Sequence, residues 1–527
     1  MSLSGFVVLA FVASGTLFAL SKRKPASASS YMLADRSLSG VTLFATLAAS
    51  NLSAFTVFGV SGAAYRSGWA FVPVMAFGTG FMALSFVVFG LPMRRLSKER
   101  GWLTPGDCIR DRFQSPALGR VFSALSLLYT VPYLAIQAGS GGALMAEATG
   151  LPRAAASGIL VAVVAFYVFR GGMKAVARTD VLQLAVLVSL GLAAAAMVAG
   201  AASGSGSLAA VASDSSAALR DGADASLPWT ALLGYYALWA LADPMFPHFM
   251  QRFFAARSDK ALLSSMALYP LMAAVVFFAM AAIGVMGRSI APGLEGSATD
   301  GVFTVLAHAV AGPLWGPVFS VAALAALMST MDSQLLSAGS MLSGDVIGSR
   351  RAGAPAAVAA LAVLAWLVSL KPPESILAFL NKAAFPGYAS LAPVALAALY
   401  APAVGTAAAM SALVGGAALV GLEALGVLVP PMPAAVFNAL VQVAILGAGW
   451  LTERARKSTH ARLPEPFPVS AGWLVVFGTM VILATDVWNF GRAPRVVAGL
   501  PSWLWYHLGL TLALGALFAV FARKRRS

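Results

Sequence analysis

The 527-residue chain is 59% hydrophobic and only 10% charged, with a mean hydropathy of +0.83. A soluble globular domain does not look like this, and many apolar runs reach the ~20 residues a bilayer span needs. The net charge of +15 comes from short Lys/Arg clusters between those runs, which points to a lipid bilayer rather than to nucleic acid. A lone Cys108 excludes an internal disulfide.

The first run, Leu3 to Leu20, has no basic residue before it and Ser21-Lys22-Arg23-Lys24 after it. That is the reverse of a signal peptide, whose charge comes first, so it reads as an uncleaved span with its N-terminus outside. Further runs lie near 39–65, 69–93, 119–146, 154–170, 179–200, 228–250 and 261–286. They continue near 312–344, 354–370, 374–400, 403–428, 434–450, 468–488 and 498–521, for a total of about fifteen spans. This topology puts Arg523-Lys524-Arg525-Arg526 and most of the 35 Lys and Arg inside, and flipping it would invert the bias. The polar, Gly/Ser/Ala/Asp-rich 201–227 stretch reads as a flexible outer loop. No soluble domain of useful size remains, so residues 1–527 read as one all-α polytopic membrane domain.

Two spans are interrupted. The second contains Ala48-Ala49-Ser50-Asn51-Leu52-Ser53, small and polar at the depth of the bilayer centre. The seventh contains Asp243-Pro244-Met245-Phe246-Pro247-His248, where each proline removes an amide donor. Non-helical backbone at that depth survives only where protein or a wet cavity solvates it. Counted from the second span, the breaks fall in the first and sixth members and enter from opposite sides, as two inverted five-span repeats require. Such paired interruptions are the sequence pointer to a transporter's central site.

Residues 326–333 set three hydroxyls and a carboxylate inside the apolar run from Pro317 to Val346. On a helix Ala326, Ser329, Thr330 and Ser333 share one face. Unpaired oxygens in hydrocarbon are costly, so the stripe needs another helix, trapped water or a small hard cation. Ser329 and Thr330 are equally able to bond back to their own helix.

Three motifs on separate spans carry a family resemblance. Ala325-Ala326-Leu-Met-Ser329-Thr330-Met-Asp-Ser333-Gln-Leu-Leu resembles the signature helix of the sodium:solute symporter family. Gly171-Gly172-Met-Lys-Ala-Val-Ala-Arg-Thr179-Asp180-Val-Leu-Gln183 resembles a second family motif, and Ala49-Ser50-Asn51-Leu52-Ser53 a third. The resemblance spans residues 30–450. It implies two inverted five-helix repeats, 39–200 and 228–400, flanked by an extra N-terminal span at 3–20 and extra C-terminal spans at 403–521. It also implies Na+-coupled uptake of a small organic solute, by alternating access.

Carried over residue by residue, the resemblance implies a sodium site made by the carbonyls of Ala49, Leu52 and Ala326 and the hydroxyls of Ser329 and Thr330. Asp180 and Ser333 match a second sodium site of some members. Asp332 departs from that site's pattern, and Asp180 reads equally well as a structural carboxylate paired with Arg178 or Lys174. Asn51 is another departure, because some proline-transporting members carry an acid there.

Expected solute contacts are Asn51, Ser53, Tyr133, Gln137, Asp243 and Lys382. Thr130-Val-Pro132-Tyr133-Leu-Ala-Ile-Gln137 and Phe246-Pro247-His248-Phe-Met-Gln251-Arg252-Phe resemble segments of the branch that includes bacterial monocarboxylate transporters. Tyr133 and Gln137 share a helix face, where they could orient a solute or simply pack and bond a neighbour. Lys382 lies within a run, where it could attract a carboxylate, pair with Asp243, or snorkel to the outer surface.

Enzyme readings find no support. There is no phosphate-binding Gly-x-x-x-x-Gly-Lys-Ser/Thr, and the four histidines lack ligand spacing, with His248 expected to face the inner exit. The expected setting is the bacterial cytoplasmic membrane, with no obligatory protein partner. Two alternatives stay open: proton coupling on the same fold, or a sensor acting through a separate partner. Monocarboxylates, proline-like amino acids, pantothenate and sugars all fit the scaffold.

Overall fold

The computed structural model describes residues 2–20, 25–204, 227–349, 354–371, 375–455, 465–489 and 495–525. Most of the polar 201–227 stretch, and the basic residues at 22–24, 350–351 and 456–462, lie outside the described residues.

Helices fall on the apolar runs because in hydrocarbon the backbone has only its own chain to bond. Among the described residues ten are long and apolar enough to cross a membrane, and Ala354–Ser369 and Ala471–Thr485 are shorter apolar helices. The expectation of about fifteen spans and this count differ for physical reasons. Runs 154–170 and 179–200 lie in the stretch Arg153–Gly204, counted once although it is two helices meeting at a kink. The second run and the seventh are each interrupted, so Gly40–Asn51, Trp229–Ala242 and Pro247–Ala255 are individually short.

The bend inside Arg153–Gly204 sits at Gly172, with φ 57°. A side chain there would be strained by that φ, and a Cβ would stand 2.5 Å from the Tyr31 carbonyl oxygen. The glycine pair therefore lets two spans join while the turn touches the Ala28–Leu33 helix.

The bundle has an interior and a rim. In Trp315–Val346, 94% of the most apolar window is buried, against 22% in Ala434–Arg454. The oxygen-bearing stripe is thus on an interior helix, not a lipid-facing one. That helix, Val302–Met341, packs along Arg153–Gly204 and Pro116–Thr149. Asp259–Ile290 packs along Gly40–Asn51 and Phe71–Met82, and both interrupted helices reach the Val302–Met341 helix.

Candidate functional site

The first interrupted helix stops at Asn51 and resumes in a π-type turn at Phe55. Leu52, with ψ 94°, takes the backbone out of the helix. The next amides then find side chains instead of carbonyls. Ser53 N donates to Thr56 Oγ1 at 3.2 Å, and Ala54 N donates to Gln137 Oε1 at 2.9 Å. Those two amides would otherwise have bonded the carbonyls of Ala49 and Ser50, four residues earlier. Diverting them releases both oxygens inside the protein.

The released carbonyls are taken up by the stripe on Val302–Met341. Ser329 Oγ lies 2.9 Å from the Ala49 carbonyl oxygen and 2.9 Å from that of Ala326. Thr330 Oγ1 lies 3.2 Å from the Ser50 carbonyl oxygen. Ala49, Leu52, Ala326, Ser329 and Thr330 are all buried. Ser329 has one proton for two carbonyls, so this knot holds more acceptors than donors. Neutral oxygens in surplus, closed off from water, suit a small monovalent cation without burying a net charge.

One helical turn further along the stripe the chemistry changes. Ser333 Oγ lies 3.1 Å from Ser50 Oγ and receives a 2.5 Å bond from Arg252. The same guanidinium lies 2.9 Å from Asp180 Oδ2 and donates to Thr46 Oγ1 at 2.8 Å and the His248 carbonyl at 3.0 Å. Thr46 also bonds Asp180. Asp180 and Ser333, expected to share a sodium, are bridged by this guanidinium. The carboxylate's partner is Arg252, not Arg178 or Lys174, and Lys174 pairs with Asp35 at 2.7 Å. Asp332 accepts from Tyr167 at 2.9 Å and Thr179 at 3.2 Å, which ties the stripe helix to Arg153–Gly204.

The solute candidates separate into three groups. Ser53, Tyr133 and Gln137 brace the break: Tyr133 donates to Ser53 Oγ at 3.0 Å, and Gln137 holds Ala54. Asn51 joins the two breaks, donating to Asp243 Oδ2 at 3.2 Å and meeting the Tyr269 hydroxyl at 2.9 Å. Lys382 stands apart. Its side chain is exposed, so it makes no pair with buried Asp243 and behaves as a snorkelling residue. His248 is buried, its ring stacked beside that of Phe246 with centroids 5.3 Å apart.

Arg252, Thr46, Ser50 and Tyr269 carry this site without having been expected in it. The signal for Arg252 was available: a cation inside a membrane segment is functional by default. Hydropathy ended the seventh run at residue 250, which left Arg252 in an inner loop. In the structure Pro247–Ala255 continues the helix and buries it.

The fold and this knot of oxygens at broken helices define a polytopic helical transporter. The family model of the sodium:solute symporter family matches residues 31–416, and the chain belongs to that family. It is 26% identical to the sodium/pantothenate symporter of Haemophilus influenzae over 397 residues, covering 72% of this chain and 81% of that protein. It is likewise 26% identical to a sodium/proline symporter of Staphylococcus aureus over 423 residues, covering 76% and 81%. Among solved structures, a Na+-coupled sialic acid symporter in a substrate-bound outward-open state superposes with a TM-score of 0.70. That match has 16% identity and covers 88% of this chain and 99% of the other. A nucleobase-cation-symport-1 family transporter in a closed conformation gives 0.56, at 15% identity, covering 80% and 95%.

Proposed function

We propose that this protein is a secondary active transporter that couples sodium entry to uptake of a small organic solute across the bacterial cytoplasmic membrane. The carrying observation is the contact of Ser329 and Thr330 with carbonyls released by the first broken helix. Sodium would sit among the Ala49, Leu52 and Ala326 carbonyls and the Ser329 and Thr330 hydroxyls, with the Ser50 carbonyl adjacent. Inward sodium movement is favoured by its gradient and by about 2.3 kcal/mol per charge per 100 mV. Occupying the knot pins the broken helix to the stripe helix in an outward-open arrangement, and bound solute must raise sodium affinity by the same factor that sodium raises its own.

The paired breaks support reading 39–200 and 228–400 as inverted repeats that rock about this site, and the Lys/Arg bias supports an N-terminus outside. Arg252 supports a further specification: the Asp180–Ser333 position holds a fixed cation, and one sodium accompanies each solute.

The test is uptake by proteoliposomes under an inward sodium gradient, screened against small solutes. Sodium-dependent accumulation is the expected result. Accumulation that ignores sodium and follows a pH gradient would replace this reading with proton coupling.

A further inference from the structure

We propose that the solute carries a positively charged nitrogen and that Asp243 is the residue that receives it. The inference rests on the transporter reading above and specifies its substrate class.

Asp243 opens the turn Asp243–Met245 that interrupts the second broken helix, and it is 3% exposed. Other buried carboxylates have cationic or multiple partners. Asp107 faces Arg110, Asp180 faces Arg252 and Asp300 faces Arg66, while Asp332 accepts from Tyr167, Thr179 and Ser333. Among the described residues Asp243 has a single neutral donor, the Asn51 amide. A buried carboxylate with one amide donor has room for a cationic partner, which would hold it in its charged form.

The surroundings select what that counter-ion is. Trp239 and Phe246 lie one turn before and one turn after Asp243, and Tyr133 packs on Phe246 with centroids 5.8 Å apart. Phe385 closes the group, 5.1 Å from Trp239 and 5.5 Å from Tyr133. Asn51 turns its amino group, not its oxygen, toward the carboxylate. One carboxylate with a single amide donor, between Trp239 and Phe246 along the chain, is a poor cage for a bare sodium ion, which prefers several oxygens. It is a good one for an organic ammonium, whose N–H groups reach the carboxylate while its carbons and charge lie on aromatic faces. The sodium knot and the amine seat are adjacent through Asn51, two residues from Ala49, so one broken segment reads both cargoes.

The experiment uses the full chain in proteoliposomes and solute pairs that differ only in the nitrogen. Examples are L-proline against cyclopentanecarboxylate and L-alanine against propionate, within a wider panel of amines and nitrogen-free acids. Sodium-dependent thermal stabilisation of the wild type is recorded separately, so that failure of the sodium reading is seen independently of the amine result. The expected outcome is that carried solutes bear the nitrogen and that their isosteres bind at least 100-fold more weakly. Asp243→Asn should lose the same factor in apparent affinity while keeping sodium stabilisation, and Asp243→Glu should stay within tenfold of wild type. Should Asp243→Asn fail to fold, the wild-type isostere pairs decide alone. Equal uptake of nitrogen-free acids, or a panel in which no amine is carried, overturns the proposal. So does a nitrogen-free solute driven by a pH gradient and lost in Asp243→Asn, which would give the carboxylate to a proton.

Discussion

The guanidinium of Arg252 lies 2.9 Å from the carboxylate of Asp180, and neither side chain is exposed at all. The pair stands beside the oxygen knot, linked to it through Ser333 and Ser50. A buried ion pair adds little net stability, but losing one partner strands the other.

Arg252→Met should therefore destabilise the protein by about 3–5 kcal/mol, because Asp180 is left as an uncompensated buried charge. Arg252→Met with Asp180→Asn removes both charges and should recover most of the loss, as read from thermal unfolding in detergent. Sodium titrations of uptake add a functional reading. The wild type should show a Hill slope of about one, and Arg252→Ala, with the carboxylate vacated, should steepen it. An unchanged slope in a folded Arg252→Ala protein would separate Asp180 from any cation exchange at that position.

Ser329→Ala combined with Thr330→Ala should raise the sodium concentration for half-maximal uptake by about tenfold or more, equivalent to about 1.4 kcal/mol. Both hydroxyls leave the knot while the carbonyls remain, so solute affinity at saturating sodium should recover. Unchanged sodium dependence in the double variant would remove this knot from the coupling mechanism.

Gln137 braces the break without being one of the knot's oxygens. It takes the Ala54 amide that would otherwise return to the Ser50 carbonyl. Gln137→Ala should let the helix rewind toward Ser50 and weaken the acceptor that faces Thr330. A several-fold rise in the sodium requirement is the expected effect, on the scale of about 1 kcal/mol for one buried hydrogen bond. Gln137→Glu keeps an acceptor and should restore most of the sodium response. A loss of solute affinity with sodium dependence untouched would instead make Gln137 a direct solute contact.

Sequence periodicity was enough to locate the stripe, because Ala326, Ser329, Thr330 and Ser333 repeat at helical spacing in an otherwise apolar run. The break at 49–53 was also legible, since small polar residues and freed carbonyls go together. Which carbonyls are freed was not. That depends on where the amides of Ser53 and Ala54 go, and Gln137 lies on another helix. The family pattern pointed to Ala49 and Leu52, while the structure adds Ser50. Arg252 escaped for a related reason: its partners Thr46, Asp180 and Ser333 come from three other helices, and only the assembled bundle brings them together.

Lys382 supplies a prediction of no effect. Its position inside an apolar run made it a candidate anchor for an anionic solute. The π-type turn Leu380–Ala384 instead exposes it, while its neighbour Asn381 reaches inward to the Tyr235 hydroxyl at 3.3 Å. An exposed ammonium gains little from any single partner, so Lys382→Met should leave solute affinity within about twofold, far less than the tenfold that 1.4 kcal/mol represents. Asn381→Ala, in contrast, removes a half-buried contact to the helix that carries Trp239 and should lower the uptake rate measurably. A large loss of carboxylate binding in Lys382→Met with Asn381→Ala unaffected would reverse this assignment and return the anion-anchoring role to the lysine.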